Sequence, residues 1–98
     1  MPAVTRVGDL FSGHGTYAPS TAAVGSANVN INGIPCVRAT DLIAPHVSPP
    51  PLAPHTDSTL AGGSGTVLVN GLPIGRIGDP VSCGGFMVVG SPDVFAGG

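Results

Sequence analysis

Three histidines and two cysteines are the side chains in this 98-residue chain best suited to chemistry at neutral pH. A neutral imidazole and a thiolate are good ligands for zinc. A thiol beside an imidazole is also a nucleophile beside its base, and two thiols can close a disulfide. Spacing discriminates among these options. His14 follows Asp9 by five residues, His46 follows Asp41 by five, and Cys83 follows Asp79 by four. Each of these aspartates comes three residues after an arginine (Arg6, Arg38, Arg76), and the chain has no other arginine. Cys83, in the stretch "IGDPVSCGG", therefore stands in the slot that two other segments fill with histidine.

That slot belongs to an internal repeat. "NGIPCVRATD" (32–41) aligns without gaps on "NGLPIGRIGD" (70–79), and upstream "GSANV" from Gly25 aligns on "GSGTV" from Gly63 at the same offset. The chain ends "GSPDVFAGG" and begins "MPAVTRVGD", so tail joined to head forms a third copy with one extra residue before Arg6. The units are 25–46, 63–83, and 90–98 completed by 1–14, within a single domain spanning 1–98. This predicts a closed pseudo-threefold object whose termini lie side by side. The repeated Arg-x-x-Asp reads as an ion pair closing a tight turn, with Gly8 and Gly78 supplying positive φ. Three equivalent copies point to architecture, not to a catalytic carboxylate.

Equivalent positions in such an object converge on its axis, so His14, His46 and Cys83 are expected to meet there. A structural zinc takes four ligands, and His55, in the proline-rich connection "VSPPPLAPHTDSTLAG", supplies the fourth. The expected metal centre is His14, His46, His55 and Cys83, holding one Zn²⁺, with iron the second choice. Cys36 aligns with Ala3 and Ile74 and reads as a small buried hydrophobe. Two alternatives use the same residues. A Cys36–Cys83 disulfide would staple a secreted binding module, and an open zinc site with Asp57 as base would make a small hydrolase. The hydrolase also needs a substrate cleft, for which so short a chain leaves little room.

The elements that must position these groups are short strands. The chain contains no Glu, Lys, Gln or Trp, whereas Gly and Pro number 16 and 11, so it lacks helix formers and is dense in helix breakers. Its apolar runs ("VNIN", "TVLVN", "FMVVG") are brief and rich in β-branched residues. The fold class is all-β, with short strands joined by Gly/Pro-rich loops. Three arginines and a net charge of −2 exclude a phosphate-neutralising surface, and hence nucleic acid as a partner. No run approaches the ~20 apolar residues of a membrane helix, and no signal peptide is evident, which favours reduced thiols. A mean hydropathy of +0.41 on so uncharged a chain implies a surface partly covered by a partner.

The ordered segments "PAVTR", "PCVR" and "PIGR", each with Asp three residues after the Arg, together with "NGxPxxR" and the Gly-Ser segments, resemble the PAAR-repeat family over essentially the whole chain. No copy reads Pro-Ala-Ala-Arg, and Ala39-Thr40 replaces the usual residue-Gly before Asp41. The resemblance implies a conical tip with zinc near its apex, held by three His and one Cys. Such a tip caps and sharpens a trimeric spike protein, either VgrG-like in a type VI secretion system or a phage tail spike, and helps it pierce a target envelope, with no enzymatic activity. On that reading the spike binds at the base of the cone and the apex touches the target membrane transiently. The tip would be assembled in the bacterial cytoplasm and delivered outward, and with nothing appended after Gly98 any effector would attach non-covalently. The Arg–Asp turns and the metal are expected toward the apex and the apolar strand residues toward the base.

Overall fold

In a computed structural model, which describes residues 1–50 and 52–98, the chain is all-β. Its strands are two residues long and pair in antiparallel ribbons: β1 (Leu10–Phe11) with β2 (Ser20–Thr21), β3 (Asn30–Ile31) with β4 (Ile34–Pro35), and β5 (Leu68–Val69) with β6 (Leu72–Pro73). The last two ribbons are tight hairpins turning at Asn-Gly, with Asn32 and Gly33 at φ 55° and 78° and Asn70 and Gly71 at 54° and 80°. These are the left-handed angles a two-residue hairpin turn requires. In "FMVVG" only Phe86 and Met87 pair, through isolated bridges to Pro80 and Phe11.

A third ribbon equivalent to the two Asn-Gly hairpins is assembled from the two ends of the chain. Ala3 bridges Phe95, the Val4 N–H donates to the Val94 carbonyl, and the Ala96 N–H donates to Pro2. The threefold relation is closed by backbone hydrogen bonds. Thr5 donates to Gly75 at 2.8 Å, Gly75 to Val37 at 2.8 Å, and Val37 to Thr5 at 3.0 Å, a ring around the pseudo-axis. One step outward, Val7 donates to Pro35, Ala39 to Pro73 and Ile77 to Ala3. The register corrects the sequence alignment at one point. Ala3 is the counterpart of Pro35 and Pro73, and Val4, not Ala3, is the counterpart of Cys36 and Ile74. The extra residue therefore precedes Ala3, where the split ribbon has slack.

Equivalent positions around the pseudo-axis supply each layer of the core. Val4, Cys36 and Ile74 form the layer nearest the hairpins, packed with Val69 and Ala96. Beyond the hydrogen-bonded ring lie Phe11, Ile43 and Val81 with Ala22, Leu60 and Met87. Between these two sets the volumes compensate: the largest side chain, Phe11, is matched with Ala22, and the smaller Val81 with Met87. This complementarity lets inexact repeats fill one close-packed space. Gly75 is needed at the ring because a Cβ there would strike Leu60 Cδ2 and lie 2.7 Å from Thr5 Oγ1.

The three Arg–Asp pairs fasten the units from outside. In each, Asp accepts from the Arg backbone N–H (2.7, 2.8 and 2.7 Å) and from two guanidinium nitrogens, a forked arrangement that is partly buried. The remaining Nη1 reaches the next ribbon's turn: Arg6 to Asn32, Arg38 to Asn70, and Arg76 to the Gly97 carbonyl, which replaces the missing Asn. These pairs therefore lie on the hairpin side of the molecule. The expectation that they sit with the metal-ligand residues at the apex is not met, because the guanidinium groups satisfy the hairpin turns. The molecule measures 40 × 24 × 21 Å along its principal axes.

Candidate metal centre

From the layer of Phe11, Ile43 and Val81 the three units run on, away from the hairpins, to His14, His46 and Cys83. The local fold of each segment turns these side chains inward. His14 sits in a tight turn bridging Tyr17, with Gly13 and Gly15 at φ 72° and 54°. His46 and His55 face each other across an antiparallel bridge, their N–H and C=O groups exchanging bonds of 3.1 and 2.9 Å. The proline-rich connection is thus pinned at His46 and His55, which brings His55 to the other candidate ligands. Cys83 enters on a turn closed by the Gly84 N–H donating to Val81, with Gly84 and Gly85 at φ 119° and 71°.

One potential ligand atom from each of His14, His46, His55 and Cys83 lies within 4.8 Å of all the others. His46 Nε2 is 3.0 Å from His55 Nδ1 and 3.3 Å from Cys83 Sγ. A zinc tetrahedron with nitrogen arms of about 2.1 Å and a sulfur arm of about 2.3 Å has edges of roughly 3.3–3.7 Å, close to these separations. Two further observations fit a cation. His14 Nε2 is buried and has no hydrogen-bond partner among the described residues, a costly arrangement unless its lone pair is taken up by a cation or a donor. His46 Nδ1 lies 3.0 Å from the Ala18 carbonyl, so it carries the proton and leaves Nε2 as the donor facing the group. Burial, and secondarily the neighbouring His46 and His55, hold the His14 pKa below 6.5, which favours the neutral form that can ligate.

All four residues singled out from the sequence are brought together. Cys36 and Cys83 are both free thiols: Cys36 is fully buried in the hairpin-side cluster, and Cys83 packs against the other. Burial pushes the Cys36 thiol pKa up, consistent with an inert filler. Sequence reasoning missed two aromatic neighbours. Phe11 forms the floor, its ring 5.2 Å from His46 and nearly perpendicular to it. Tyr17 stacks on His55 at 3.8 Å with planes 12° apart. Its position three residues after His14 was the available signal.

Residues 12–89 match the family model described as PAAR motif, and this span includes all four ligand candidates. The chain belongs to the PAAR-motif family. A search among curated proteins finds no match. Membership makes the protein one of the spike-tip type, a structural family associated with spike proteins. The matched span contains the Arg38–Asp41 and Arg76–Asp79 turns, and the His/Cys group able to hold a metal ion lies at the end opposite the hairpins.

Proposed function

We propose that this PAAR protein is the structural tip of a trimeric β-helical spike, which it caps and sharpens so that the spike can pierce a target cell envelope. The observation that carries the reading is the closed threefold ring of hydrogen bonds between Thr5, Gly75 and Val37. A single chain with three equivalent ribbons can meet a threefold partner with one ribbon per subunit. The outward positions of those ribbons are Asn30, Leu68 and Phe95, with Leu68 59% and Phe95 50% exposed. Two of the three are large apolar groups, the kind of surface a partner covers. The hairpin end is therefore the base that seats on the spike.

The opposite end holds the metal in this reading, with Zn²⁺ as the occupant and iron as the second choice, coordinated by His14, His46, His55 and Cys83. A tapered end has too little volume for an apolar core, and a closed His₃Cys site would join three otherwise separate turns there. The units that build the tip are 25–46, 63–83 and 90–98 with 1–14. Assembly in the bacterial cytoplasm, delivery outward with the spike and transient contact with the target membrane complete the proposal.

Two measurements test it. Elemental analysis of the purified protein should find about one zinc per chain, and Cys83→Ser should lower that content together with thermal stability. Native mass spectrometry with a candidate trimeric spike should find one chain per trimer, and the double substitution Leu68→Asp with Phe95→Asp should abolish the complex while retaining zinc. An unaltered complex with the double variant would refute the assignment of the base, and a metal-free, fully folded wild type would refute the metal centre.

A further inference from the structure

Tyr17 stands out among the residues the proposed function leaves unused. It is the chain's only tyrosine, and the chain has no tryptophan. Its ring touches three of the four candidate ligands, lying flat on His55 with centroids 3.8 Å apart, and 5.0 and 5.3 Å from the rings of His14 and His46. Its hydroxyl donates to the Ala53 carbonyl at 2.7 Å, two residues before His55. One side chain thus spans from the turn carrying His14 to the loop carrying His55.

His55 is also the ligand that differs from the rest. It lies outside the threefold pattern, and it faces the group through Nδ1, the ring nitrogen next to the main chain. An Nδ1 donor is aimed by the χ2 rotation of the ring, so a small rotation moves the lone pair off target. His46 is held by its hydrogen bond to Ala18, but neither ring nitrogen of His55 is hydrogen-bonded to a carbonyl or carboxylate among the described residues. The groups that hold metal-ligating histidines are ordinarily such hydrogen-bond partners. Here an aromatic plane takes that place.

We infer that Tyr17 is the positioning residue of the metal centre: its ring fixes His55 with Nδ1 directed at the ion, and its hydroxyl latches Ala53, two residues before His55, to the turn that carries His14. The two parts of the side chain do separable work. The ring orients the ligand, and the hydroxyl holds the main chain just before it. The inference rests on reading the four residues as a metal centre, and it predicts a different pattern from a tyrosine that merely fills space.

The experiment compares wild type, Tyr17→Phe and Tyr17→Leu, each loaded with zinc, by the rate at which a chromophoric chelator in excess removes the metal. Ligand-orienting neighbours typically contribute 10–100-fold to metal affinity. Tyr17→Leu, which keeps apolar bulk but no flat ring, should therefore release zinc at least about tenfold faster. Tyr17→Phe, which keeps the stack and loses the latch, should fall between the two. Cobalt substitution supplies a readout that simple space-filling would not move: the ligand-field bands of the tetrahedral site should be preserved in Tyr17→Phe and displaced or weakened in Tyr17→Leu. In the wild type, Co²⁺ should also quench the single-tyrosine emission stoichiometrically. Equal release rates and identical cobalt spectra in all three proteins would overturn the role of Tyr17 and leave the metal centre intact. A wild type that takes up neither zinc nor cobalt would overturn both.

Discussion

Thr40 offers a direct test of the pseudo-symmetry. It occupies the turn position that the other two Arg-x-x-Asp segments give to Gly8 and Gly78, and its φ is 80° where theirs are 92° and 91°. All three N–H groups make the same bond inward, to Ala22, Leu60 and Met87 respectively. The backbone is therefore fixed by the fold, and Thr40 adopts a left-handed conformation that a β-branched residue avoids. That strain is worth about 1–2 kcal/mol. Glycine would relieve it, offset by roughly 0.5–1 kcal/mol for the freer unfolded chain. Thr40 is exposed, and its hydroxyl makes no hydrogen bond among the described residues, so little else is lost. Thr40→Gly should stabilise the protein by about 0.5–1 kcal/mol, a rise in Tm of roughly 2–8 °C for a domain of this size. The reverse changes are equally clean: a Cβ at Gly8 or Gly78 meets nothing within 4 Å, so Gly8→Ala and Gly78→Ala report backbone strain less the entropy removed from the unfolded chain, with no packing clash. Each should destabilise by about 0.5–1 kcal/mol. Urea and thermal unfolding at fixed metal saturation would measure all three, with an unchanged m value confirming that only stability moved. If Thr40→Gly lowers stability while the alanine variants are neutral, the positive-φ turn does not set the energetics of these positions and the reasoning fails.

Three other outcomes are expected. Thr5 is fully buried, its hydroxyl has no partner among the described residues, and its counterpart at the ring is Val37, so Thr5→Val should raise stability by about 1 kcal/mol in urea unfolding. Asp41→Ala strands the Arg38 backbone N–H and its guanidinium, so it should cost about 2–3 kcal/mol, whereas a charge pair on an open surface would cost less than one. In the metal-free protein, the depressed pKa of His14 means that the unfolded chain binds its proton first; stability is therefore full above pH 6.5 and falls as the pH drops below it, and a titration of Tm against pH should lose this slope in a His14→Phe variant.

The sequence by itself determined the class of fold and which four side chains, able to hold a metal ion, come together. Composition excluded helices, because a chain without Glu, Lys or Gln and rich in Gly and Pro has few residues that favour them. The register of His14, His46 and Cys83 in a repeat was legible because equivalent positions in a threefold object must face one axis, and His55 followed from the count of four that zinc takes. Tertiary structure decided what periodicity cannot encode. The true counterpart of Cys36 is Val4, since the register of the split ribbon is set by hydrogen bonds between segments at opposite ends of the chain. The Arg–Asp pairs belong to the hairpin side, because the spare guanidinium nitrogen finds its acceptor on the next ribbon, a contact between units invisible within one repeat. Tyr17 became a partner of His55 only when Ala53 and His55 packed against the turn after His14. Local sequence fixes which conformations and ligand types are available, but the packing of one segment on a distant one fixes which side chains meet.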